Sequence, residues 1–71
     1  MTNTKMLKFK IEESGYKLGF ISKKLGISYQ AFLNKVQNKT EFKQNEIQKL
    51  CDLLDLTLKE KEEIFFNQNV E

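Results

Sequence analysis

With 71 residues, one cysteine and no histidine, the chain makes a single small domain that shields only about 60% of its unfolded surface. It cannot form an internal disulfide, an ordinary Cys/His zinc site, or a Ser/His or Cys/His catalytic pair. The net charge of +2 hides an asymmetry, because residues 1–44 carry nine lysines against three acids and residues 45–71 three lysines against seven, a pattern suited to one polyanion-facing surface.

The spacing of apolar residues predicts helices throughout. Leu7 and Ile11, four apart, place a first helix over residues 4–13, which stops at Ser14-Gly15. A second helix, 17–25, puts Ile21 and Leu25 on one face and ends at Gly26, since glycine enters the left-handed region without steric cost. Ser28 caps a third helix, whose inward pair is Phe32 and Val36. Residues 37–40 form a loop in which Asn38 suits a positive φ, and Phe42 folds back into the core. The fourth helix, 44–54, has the clearest stripe: Ile47, Leu50, Cys51 and Leu54. Cys51 reads there as a small buried hydrophobe. Thr57 and Glu60 make a capping box for a fifth helix, 58–66. That helix buries part of Ile64, Phe65 and Phe66, and one of the two adjacent rings must pack elsewhere or join an interface. The last five residues are expected to fray.

The chain therefore reads as one all-α domain over residues 1–71, a compact bundle of four to five helices with its core at about 5–66. No strand alternation or Gly-rich phosphate loop is visible. The acid pairs Glu12-Glu13 and Glu62-Glu63 point to different sides of their helices and read as solvated surface. No enzyme, catalytic residue, metal, cofactor or small-molecule ligand is expected. The N-terminus lacks a signal-peptide stretch, and no apolar run reaches membrane-spanning length. A cytoplasmic protein with a reduced Cys51 and no membrane partner is expected.

Leu18 to Val36 has the layout of a helix-turn-helix. An amphipathic helix ends at Gly26, and the small Ser22 stands four positions earlier, where two helices must cross closely. Ile27 fills the turn, and Phe32 with Val36 anchors the second helix. Ser28, Tyr29, Gln30, Leu33 and Asn34 then face outward from the part of a recognition helix that meets base edges. With no arginine in the chain, base reading must rest on Gln, Asn, Ser, Tyr or Lys. The plain alternatives are an AT-rich coding bias for the lysines and solvated polar residues on a packing helix.

The stretch LGISYQAFLNKVQNKTEF, from Leu25 to Phe42, resembles the Cro/repressor-type helix-turn-helix family, in particular small prophage regulators of low-GC Gram-positive bacteria. The resemblance covers roughly residues 5–66 and implies a lambda-repressor-like bundle in a bacterial host, with Ser28 to Lys35 as the recognition helix. It implies that Lys39 and Thr40 lie along the phosphates. By their chemistry, Gln30 and Asn34 suit adenine, and Tyr29 suits a thymine methyl or a phosphate. Lys17, Lys35, Lys39 and Lys43 suit counterion-releasing phosphate contacts. The expected partner is double-stranded operator DNA, bound by a homodimer in a lysis/lysogeny switch.

Relatives usually carry glutamine near the start of the second helix, to grip a phosphate; here that position is Leu18, followed by Gly19 and Phe20. Leu33 adds an apolar group on the exposed side of the third helix. Leu18, Phe20, Tyr29 and Leu33 together suggest an alternative, because exposed apolar patches mark protein-binding sites. In that case the chain resembles an antirepressor, or modulator of repression, which binds the phage repressor protein and changes its hold on the operator.

Overall fold

The computed structural model describes residues 1–66, so the expected fraying of the last five residues lies outside the described part. Among the described residues there are five helices and no strand: α1 Thr4–Ser14, α2 Leu18–Leu25, α3 Tyr29–Val36, α4 Gln44–Leu54 and α5 Leu58–Phe65. The boundaries follow from local chemistry. Asn3 accepts the Met6 N–H and starts α1, while Gly15 ends it at φ 79°. Gly26 closes α2 at φ 77°. Ser28 accepts the Ala31 N–H at 3.0 Å and opens α3. Thr57 and Glu60 exchange two hydrogen bonds, of 2.9 and 3.1 Å, at the start of α5.

One core joins these helices. Leu7, Ile21, Phe32, Leu50 and Ile64 are its largest fully buried side chains, one from each helix. Phe42, from the connection between α3 and α4, sets its ring edge against both Phe32 and Phe65, with centroids 6.2 and 5.5 Å apart. Such edge-to-face contacts add to the area buried. Cys51 is buried on the α4 stripe, and burial pushes its thiol pKa up, with Lys61 offsetting part of the effect. Phe65 is buried and Phe66 is exposed, so the adjacent rings divide between core and surface.

Asn38 ties both ends of the α1–α3 unit together. It holds φ 66°, accepts the Thr2 N–H at 2.9 Å and donates to the Thr2 carbonyl at 2.7 Å. Its amide also donates to Thr4 Oγ1, which in turn donates to the Val36 carbonyl. The segment before α1 is thus fastened to the end of α3.

Candidate nucleic-acid and protein interface

In the α2–turn–α3 unit three residues, Gly26, Ile27 and Ser28, link the two helices. Ser22 is buried, and its hydroxyl donates back to the Gly19 carbonyl at 2.8 Å, so its polar atom is paired. The Ser22 carbonyl accepts the Ile27 N–H across the turn. Ile27 is half-buried against the core. Phe32 and Val36 point inward, which fixes the opposite face of α3 as the outer one.

That outer face carries Ser28, Tyr29 and Gln30, all exposed, with Leu33 and Asn34 half-buried beside them. Gln30 Nε2 donates to Asn34 Oδ1 at 3.1 Å, one helical turn on. This leaves the Gln30 carbonyl oxygen, its second amide hydrogen and the Asn34 amide hydrogens available to a ligand. The Asn34 backbone carbonyl accepts the N–H groups of Lys39 and Thr40, which holds the loop after α3 close to that helix. Lys17, Lys39, Thr40 and Lys43 are exposed. The Ser28 oxygen is engaged as a cap, but its hydrogen is free to donate.

Lys35 departs from the sequence expectation. It is buried, and its Nζ lies 2.8 Å from Glu46 Oε1 and 3.2 Å from the Glu41 carbonyl. Its charge is spent inside the fold and is withdrawn from any phosphate. The same Glu46 oxygen accepts the Lys43 N–H at the start of α4. Burial pushes the Glu46 carboxyl pKa up, but the hydrogen bonds from Lys35 and Lys43 outweigh it, so the net shift is downward. The signal was present in the sequence. Lys35 stands three residues after Phe32 and next to Val36, and Glu46 stands four before Leu50, so helical spacing puts both on inward stripes.

The apolar residues regroup as well. Leu18 and Leu33 are half-buried and share one groove with Tyr29, but Phe20 is not among that groove's lining residues. Its ring instead meets Tyr16 at 5.1 Å between centroids and lies under Lys24 Nζ at 5.5 Å. The groove has a volume of about 980 Å³, and α1 forms its other wall with Lys5, Lys8, Phe9 and Glu12. Phe9 is 60% exposed. It was legible as an aromatic residue off the Leu7–Ile11 stripe, although helical spacing alone does not bring it to Tyr29 and Leu33.

Among the described residues, no cluster of His, Cys, Asp and Glu could hold a metal ion. No helix there is long and apolar enough to cross a membrane.

Among the described residues, the fold and this surface define a five-helix bundle with the exposed face of α3 on its outside. The chain belongs to the family described as "Protein of unknown function (DUF739)", whose model matches residues 4–68. No curated protein and no solved structure matches it.

Proposed function

We propose that this protein is a helix-turn-helix transcriptional regulator of the phage Cro/repressor type that reads operator DNA with the leading face of α3. The observation that carries this reading is the outward set Ser28, Tyr29, Gln30 and Asn34, held off the core by the Gly26 turn and flanked by exposed Lys17, Lys39 and Lys43. Two amide side chains suit the donor–acceptor pattern of adenine, and the Tyr29 ring suits a thymine methyl. The lysines supply the sequence-independent part of the affinity. Acting as a dimer, the protein would span half-sites about 34–36 Å apart.

The test is selection of binding sites from a random duplex pool, followed by titration of the selected duplex with Gln30→Ala. The substitution is expected to cost about 1–3 kcal/mol and to relax preference at one base position. An unchanged affinity and an unchanged preference would rule out direct reading by α3.

A specific observation favours a second reading. Leu18, Tyr29 and Leu33 line a groove whose apolar wall continues onto α1, and DNA backbone contacts have little use for such a wall. In this reading the protein is an antirepressor that grips the phage repressor protein there. Co-purification with the repressor, lost on Leu33→Asp, would support it. Retained capture by that variant would remove it.

A further inference from the structure

A groove of about 980 Å³ lies between α1 and the α2–α3 unit. Phe9, Ile11, Tyr16, Leu18, Tyr29 and Leu33 form its apolar lining, and Lys5, Lys8 and Lys17 stand on its rim against the single carboxylate of Glu12. Among the described residues none of these three lysines makes a salt bridge. Phe9, at 60% exposure, and Tyr29, at 51%, keep large ring surfaces in water. Rigid aromatic groups at the centre of a desolvated contact are the kind that dominate binding energy.

Resting on the protein-binding reading above, we propose that this groove docks an acidic amphipathic helix of a partner protein. Three features select that occupant. The apolar lining calls for a partner with an apolar stripe, because it is that area which leaves water on binding. The rim has three lysines to one glutamate, so it attracts carboxylates placed beside the stripe and repels a basic segment. The partner's backbone must also arrive already hydrogen-bonded. Every element among the described residues is helical, so no strand edge stands ready to pair with an extended peptide, whose amides would go unsatisfied against apolar walls. A helix brings its own bonds and presents anchors at i, i+3, i+4 and i+7. Lys5 to Glu12 spans eight residues of α1, or about 10 Å at the helical rise, enough wall for about two turns of a partner.

The experiment is fluorescence anisotropy of the full chain with three labelled, stapled peptides of about 16 residues, long enough to hold a helix. The first has leucines at i, i+3, i+4 and i+7 with glutamates on the flanks. The second replaces those glutamates with lysines. The third keeps the composition of the first but scatters its leucines around the helix. The first is expected to bind at least about tenfold more tightly than either control, a difference of the size that charge and shape complementarity produce. Phe9→Glu should weaken it at least about tenfold, and so should Lys8→Glu. Both positions are exposed, so the variants should fold, which circular dichroism checks.

Equal binding of all three peptides, or no binding, overturns the proposal. Co-purification with the repressor separates the two levels. If the repressor is captured and lost on Phe9→Glu while the acidic peptide shows no preference, the protein-binding reading stands and the acidic helix does not. If the acidic peptide shows no preference and repressor capture also survives Leu33→Asp, both fail.

Discussion

At the scale of single residues, two glycines in the α2–α3 unit have opposite expectations. Gly26 holds φ 77°, a conformation that L side chains rarely adopt, whereas Gly19 lies inside α2 with nothing within 4 Å of the place a Cβ would take. Gly26→Ala should therefore destabilise the domain by about 1–2 kcal/mol, through strain at left-handed φ. Gly19→Ala should stabilise it by about 0.5–1 kcal/mol, because it removes conformational freedom from the unfolded chain and improves helix propensity. For a domain of this size, each kcal/mol moves Tm by about 4–8 °C, so thermal melts of the two variants should shift in opposite directions. The role of Gly26 was legible from its place after Leu25. The freedom at Gly19 was not, since it depends on which neighbours approach.

Between elements, the principal polar link is the Lys35–Glu46 pair, which joins α3 to α4 across 11 residues of sequence at 2.8 Å. Removing one member leaves the other buried without its counter-charge, so Glu46→Gln should cost about 3 kcal/mol, towards the lower end of the range for breaking a buried pair. The Lys35→Met/Glu46→Gln double variant should recover part of that loss, and urea melts of the full cycle give the coupling. A simple additive loss would mean that the pair is not coupled. The acid limb follows from the same contact. The Glu46 carboxyl titrates below its ordinary value of 4.5 in the fold, so the unfolded chain takes up the proton first. This contribution to stability is present above the ordinary value and fades as pH falls below it, through the lowered value of the folded state. Glu60 behaves alike, held down first by the Thr57 N–H and then by Lys10, so Glu46→Gln should flatten the acid limb only in part.

The elements themselves were largely readable. Caps at Ser28 and Thr57, glycines at 15 and 26, and the apolar periods place five helices where the structure has them. What the sequence reading missed was sidedness for charged residues. By residue type Lys35 groups with the phosphate-facing lysines, although its register points inward. The partner that makes its burial tolerable lies on another helix, and local spacing cannot name it.

For the molecule as a whole, the charge asymmetry of the sequence makes a prediction about affinity. Lys17, Lys39 and Lys43 remain exposed near α3, while Lys35 is neutralised within the fold. If about three lysines per protomer release counterions, log K against log salt should fall with a slope of about −3 per protomer. Lys39→Ala should reduce that slope by about 1, and Lys35→Met should leave it unchanged in protein that still folds. A slope change on Lys35→Met would mean that the buried pair opens on binding. The groove beside α3 was only half visible in advance, because Leu18, Tyr29 and Leu33 lie close together in sequence, between Leu18 and Val36, but their α1 wall is contributed by tertiary packing.

The central claim is that the outer face of α3, with the residues flanking it, is the surface that meets another macromolecule. Amide chemical-shift mapping of the isotope-labelled protein against its selected duplex tests this most directly. The account predicts changes concentrated at Lys17 to Phe20, Ser28 to Asn34 and Lys39 to Lys43, with α4 and α5 nearly silent. Shifts confined to α4 and α5, or none with either the selected duplex or the phage repressor protein, would contradict it.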